Sequence, residues 1–175
     1  ALIGVSWRFM FQPDFGLFKA FFDVLIPPLA DMDWLGDTTL AMVALVGSDV
    51  WHWTPYLTLV LIGGLATVPQ DAREAAMIDG AGSWRVFMDV TLPSILPVLA
   101  VCLVLKTIFS LKMFDQVYML TNGGPGNSTQ TLAHYIYFNG FKYYNMGYAS
   151  AVSYLLVIPM FGLTWIYMKL VFLKK

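Results

Sequence analysis

Cysteine is nearly absent from this 175-residue sequence, and the single one, Cys102, stands inside an apolar run. One thiol supplies neither an intrachain disulfide nor a multi-cysteine metal site, so Cys102 reads as a packing residue. Charge is scarce too. Only 12% of residues are Asp, Glu, Lys or Arg, ten basic against eleven acidic, and the formal charge of −1 leaves no basic footprint for nucleic acid. No Gly-x-x-x-x-Gly-Lys-Ser/Thr phosphate loop occurs, so ATP hydrolysis is not expected on this chain. The two histidines, His52 and His134, fall in different segments without a ligand motif, which leaves no convergent machinery for a membrane-embedded enzyme and no expected cofactor or metal. The opening Ala-Leu-Ile-Gly lacks an initiator Met and a basic signal region, and residue 1 reads as an interior point of a longer protein.

What is abundant is apolar surface. Hydrophobic residues make up 58% of the chain and aromatics 16%, far from the balance of an ordinary soluble domain. A bilayer core about 30 Å thick needs about 20 apolar helical residues, and three stretches meet that need: 38–65, 92–120 and 147–173. The segment 66–91 between the first two carries Asp71, Arg73, Glu74, Asp79, Arg85 and Asp89, a density of charge that hydrocarbon rejects. The segment 121–146 opens with Asn122-Gly123-Gly124-Pro125-Gly126-Asn127, a helix-breaking cluster that makes the opposite loop. Arg73, Arg85, Lys169, Lys174 and Lys175 fall on the side of 66–91, against Arg8, Lys19 and Lys142 on the other. The excess of positive charge puts 66–91 and the tail 174–175 in the cytoplasm. Residues 1–37 read as the end of a preceding span plus an extracytoplasmic interfacial segment, with Trp7 and Trp34 suited to a headgroup belt.

Within 66–91, Pro69 suits a first helical position, and Gln70 to Asp79 reads as a short helix stopped by Gly80. Ser83 is placed to cap a second short helix, Trp84 to Val90, before Leu92-Pro93 opens the next span. The result is a helix-turn-helix bracket whose apolar side, from Ala75, Ala76, Ile78, Phe87 and Met88, needs a protein surface. Helical pattern alone serves a plain connecting loop equally well.

Polar residues inside spans are costly and point to a hydrated path or a polar partner. Asp49, His52, Trp53 and Tyr56 follow i, i+3, i+4, i+7 spacing beside Pro55, which is expected to kink the helix. Lys106, Ser110 and Met113 form a second stripe, and Lys112 and Asp115 an i, i+3 pair on another face. An aromatic ring suits the C–H face of a pyranose, and Asp, His and Ser suit its hydroxyls. The competing reading makes His52 and the tryptophans interfacial anchors and lets Lys112 snorkel.

The run Glu74-Ala75-Ala76-Met77-Ile78-Asp79-Gly80-Ala81 through Val90-Thr91-Leu92-Pro93 closely resembles the EAA loop of binding-protein-dependent ABC importer permeases. Val90 stands where that pattern often has Ile. Leu120-Thr121-Asn122-Gly123-Gly124-Pro125, Tyr135-Ile136-Tyr137 and Gly147-Tyr148-Ala149-Ser150-Ala151 resemble the sugar-importing branch. The resemblance implies an all-α membrane protein, the C-terminal three-span part of an ABC importer transmembrane domain with a cytoplasmic helix-turn-helix coupling loop in the inner membrane. It implies that Glu74, Ala75, Ala76, Asp79 and Gly80 meet a separate ATP-binding subunit, with Glu74 as main polar contact, Ala75 and Ala76 permitting close approach and Asp79 orienting the turn. It also implies a second permease subunit and an extracytoplasmic solute-binding protein as partners. The solute would pass between the span before the loop and the span after it, the region of His52, Trp53, Tyr56, Ser110 and Met113. The loop does not choose the solute, so peptides or amino acids remain open beside sugars, and a small channel or structural membrane protein is the alternative of another class.

Overall fold

The computed structural model describes residues 1–172, and for Leu170 to Phe172 the backbone alone. The expected span end at Leu173 and the tail with Lys174 and Lys175 lie outside the described residues. Helices account for all regular structure among them: α1 (Leu2–Met10), α2 (Leu17–Leu25), α3 (Pro27–Ala30), α4 (Thr38–Ala66), α5 (Gln70–Ile78), α6 (Ser83–Val86), α7 (Leu92–Leu111), α8 (Asp115–Leu120), α9 (Leu132–Tyr137) and α10 (Met146–Phe172). Two π-helical segments, Phe87–Thr91 and Phe138–Lys142, complete the set.

The chain divides into two compact units. The first comprises Ala1–Trp53 and Phe109–Ile158. Its core is Phe11, Ala44, Leu45, Val117 and Leu120, against which Trp7, Phe18, Trp34 and Met113 pack. Trp7 and Trp34, expected at a headgroup belt, thus join an aromatic cluster. Phe11 stacks on Phe18 at 4.6 Å, Phe22 lies parallel to Trp34 at 5.6 Å, and the Trp34 indole donates to the Leu29 carbonyl at 3.2 Å. Each aromatic pair contributes about 1 kcal/mol beyond its area. Asp37 caps α4 by accepting from the Thr39 and Leu40 amides at 2.8 and 2.9 Å, a device worth about 1 kcal/mol. The close approach of α1 to α8 requires Gly4, where an added Cβ would sit 2.8 Å from the Met119 Cβ.

The second unit comprises Thr54–Ile108 and the described part of 159–175. Here the helical chain runs without a break from Ser83 to Leu111. The expected separate helix Trp84 to Val90 and span start at Leu92 are therefore one element, with Gly82 and not Ser83 at its N-cap and no side-chain cap bond. Pro93 lacks the N–H that would reach the Asp89 carbonyl in an α-helix, and the chain passes this point in the wider π register, the Leu92 amide donating to Phe87 O. The Thr107 and Tyr167 hydroxyls meet at 3.4 Å, and Cys102 is buried.

Among the described residues, two stretches have the length and apolarity of a membrane span, Ser83–Leu111 and Met146–Lys169. Only 17% and 6% of their most apolar windows are buried inside the chain, so neither is the core helix of a soluble domain. α4 has 29 residues but is not among them, because Asp49, His52, Trp51 and Trp53 dilute its apolar run. The expected span 92–120 ends early. Its helix stops at Leu111, and the Thr131 hydroxyl takes the Met113 carbonyl at 2.6 Å, so the chain turns and restarts as α8 at Asp115. Pro55 sits inside α4 without ending it.

Candidate functional site

In the first unit, the N-terminal part of α4 and the break after α7 enclose a cavity of about 290 Å³. Asp49, His52 and Trp53 line it from α4, and Phe109, Lys112 and Gln116 from the facing segment. The α4 side chains converge because i, i+3, i+4 spacing puts them on one face. The facing side chains converge because the helix breaks: Lys112 and Met113 lie past the last turn of α7, so neither keeps the helical register assumed for it. The Lys112–Asp115 pair is therefore not an i, i+3 pair of one helix, although both residues reach the cavity wall.

Trp53 packs on Phe109 at 4.8 Å between centroids, His52 on Trp53 at 5.5 Å, and the Lys112 ammonium lies 4.6 Å above the Phe109 ring. Asp49 is 8% exposed. An aromatic wall flanked by a carboxylate, an imidazole, an ammonium and an amide has the chemistry to stack an apolar ligand face and bond several hydroxyls. Of the residues assigned to the solute path from sequence, Asp49, His52, Trp53 and Met113 meet here, joined by Lys112 and Asp115. Ser110 belongs to the same unit but not to the cavity wall, while Tyr56 and Lys106 belong to the second unit. Sequence reading missed Phe109 and Gln116, and only the aromatic ring three residues before Lys112 offered a signal.

The bracket in the second unit is a different kind of surface. Pro69 takes the N-cap position and α5 begins at Gln70. Glu74, exposed, accepts from the Gln70 amide at 2.7 Å. Asp79 is the C-cap. Gly80 follows at φ +82°, a left-handed conformation that favours glycine, and Ala81 N donates to Ala76 O at 3.0 Å while Gly80 N donates to Met77 O at 3.0 Å. This paired bond pattern closes α5 and turns the chain toward α6. Ile78 is 86% and Trp84 71% exposed, with Met77, Phe87 and Met88 also exposed. Behind them Arg73, Met77, Val86 and Thr91 line a hollow of about 380 Å³.

Long apolar helices, a cavity lined by aromatic and charged side chains and an exposed bracket are features of a membrane-embedded subunit. The chain belongs to the family of binding-protein-dependent transport system inner membrane components, whose model matches residues 3–171. It is 40% identical over 167 residues to the trehalose/maltose transport system permease protein MalF of Thermococcus litoralis, covering 94% of this chain and 55% of that one. With the trehalose transport system permease protein SugA of Mycobacterium tuberculosis it shares 39% identity over 123 residues, 70% of this chain and 39% of the other. A solved bacterial alginate ABC transporter, in complex with an alginate pentasaccharide-bound periplasmic protein, has the same fold at a TM-score of 0.81, with 19% identity, 96% of this chain and 59% of the matched chain. The chain spans about half the length of the curated relatives it matches.

Proposed function

We propose that this chain forms part of the permease subunit of an ATP-driven importer for a sugar or sugar derivative, with the bracket as its coupling element. The observation that carries the reading is the bracket itself. Its glycine-closed helix α5 leaves Glu74, Ala75 and Ile78 exposed, α6 leaves Trp84 exposed, and one continuous helix runs from α6 into α7. A push on that surface has a rigid element to travel along. Small residues at Ala75 and Ala76 let a partner approach the backbone, and Glu74 supplies a charge for a basic group on it. The partner is a separate ATP-binding subunit, which fits a chain that lacks a phosphate loop.

The sugar assignment rests on the cavity chemistry together with the sugar permeases among its relatives. Alternating access moves the cavity wall around the solute, which an extracytoplasmic binding protein delivers and a second permease subunit helps enclose. The helices α4, α7 and α10 cross the inner membrane, with 66–91 and the C-terminus on the cytoplasmic side.

The test uses the complete transporter in proteoliposomes. Glu74→Lys, an exposed change that leaves the α5 fold intact, is expected to abolish substrate-stimulated ATPase activity and uptake while the binding protein still loads sugar. Unchanged stimulation and uptake would remove the coupling assignment.

A further inference from the structure

We infer that Gln116 is a positioning residue that holds the Asp49 face of α4 toward the cavity, an inference that rests on the cavity being part of the solute path. Past the break between Leu111 and Asp115, α8 is a separate short helix, held to α4 by the packing of Ala44 and Leu45 with Val117 and Leu120 and by one lateral side-chain bond. The Gln116 Nε2 donates to the Ser48 Oγ at 3.2 Å, and that hydroxyl in turn donates to the Leu45 carbonyl at 2.8 Å. Ser48 is fully buried and Gln116 is 8% exposed, so losing Ser48 takes the acceptor from the Gln116 amide, whereas losing Gln116 removes the tie and leaves the Ser48 hydroxyl its own bond to Leu45 O.

The placement gives the bond its consequence. Ser48 immediately precedes Asp49 on α4, and Gln116 also lines the cavity, so one amide ties the two walls at the level of the carboxylate. From the far side, α1 presses on α8 at the same level: a Cβ on Gly4 would stand 3.4 Å from the Gln116 Cα. Gln116 therefore has little room to follow if α4 turns. Substitution lets α4 relax about its axis, which moves Asp49, His52 and Trp53 together.

The experiment uses the complete transporter with Cys102→Ala and a reporter thiol, His52→Cys, labelled by a membrane-impermeant thiosulfonate. A control thiol is placed at Tyr144→Cys, an exposed loop position. In the His52→Cys background, Gln116→Met and Ser48→Ala are each expected to change the labelling rate by about threefold or more, as for the loss of one buried hydrogen bond. The double variant should change it no further, and the control thiol should not change. Unaltered labelling in both single variants, effects that multiply in the double, or a parallel change at the control would overturn the inference. Without reporters, the same variants should raise the half-saturation concentration for maltose or trehalose uptake by about fivefold. Altered labelling with no change in uptake of any sugar would leave the positioning role standing and defeat the solute-path reading instead.

Discussion

Between Thr67 and Thr91, α5 buries none of its side chains, and Glu74, Ile78 and Trp84 all face outward. Between Thr121 and Met146 the chain buries Thr129 and His134, each 2% exposed, and leaves Phe141, Tyr143 and Tyr144 exposed. The Thr129 hydroxyl donates to Gly124 O at 2.8 Å and meets the Thr121 hydroxyl at 2.7 Å, while Thr131 caps α9 by accepting from the His134 amide. His134 packs 4.4 Å from Phe138, with Phe114 and Tyr118 beyond. The two connections are similar in length, with two glycines in the first and four in the second, yet α5 buries none of its side chains while the second loop holds a bonded core of its own. The difference teaches that a connection can be fixed by its own side-chain bonds, as around Thr129 and His134, while aromatics further along it, such as Tyr143 and Tyr144, stay exposed.

The comparison breaks first at function. Glu74→Lys should reduce uptake by more than tenfold, the loss of a charge-assisted contact, yet leave the thermal midpoint of the purified complex unchanged. A fall in midpoint equal to that of a loop variant would show that the bracket is stabilised internally after all. In the other connection, Gly123→Ala should do the opposite. Gly123 has φ +80°, and a Cβ there would come within 2.8 Å of the His134 Cε1, so the loop should lose about 2 kcal/mol. Differential scanning of the purified complex would register it, and an unchanged midpoint would mean that the imidazole can retreat.

The cavity lies between these extremes. Trp53→Ala should impair sugar uptake by about tenfold with basal ATPase activity and recovered complex largely intact, because it removes one aromatic face. Tyr56→Ala should act in the same direction by a smaller factor, since Tyr56 is 49% exposed and outside the cavity wall. Losses that simply track recovered complex would return both residues to the role of lipid anchors.

The smallest effect is a matter of pH. Burial disfavours the His134 imidazolium and Lys142 adds repulsion, so its pKa lies below the usual 6.5. The unfolded chain then binds the proton more readily, and stability from the neutral ring is full above about pH 6.5 and is lost as pH falls below it. His134→Gln should flatten the decline of midpoint between about pH 7 and 5 relative to the parent. An identical slope in the variant would assign the acid sensitivity elsewhere.

Much of the architecture was legible because hydrocarbon imposes a strong pattern. α4 ends one residue beyond the apolar run 38–65, and α10 begins one residue before 147. The α4 stripe was legible because Asp49, His52 and Trp53 belong to one unbroken helix, where spacing alone assigns a face. The second stripe was not, because it assumed that the helix continued through Lys112 and Met113. The local sequence there, Ser110-Leu111-Lys112-Met113-Phe114, contains neither glycine nor proline, and the break is bonded from Thr131, 18 residues away.

The sequence by itself thus determined the long helices α4 and α10, the charged connection after α4 and the residue run that marks the bracket, all of which depend on neighbours within a turn or two. Only the tertiary structure decided where α7 stops, that Phe109 and Gln116 face Trp53 and Asp49, and that Trp7 and Trp34 pack into a cluster. Those outcomes rest on bonds and ring contacts between segments far apart in the chain. Local periodicity contains no information about which distant hydroxyl will claim a given carbonyl.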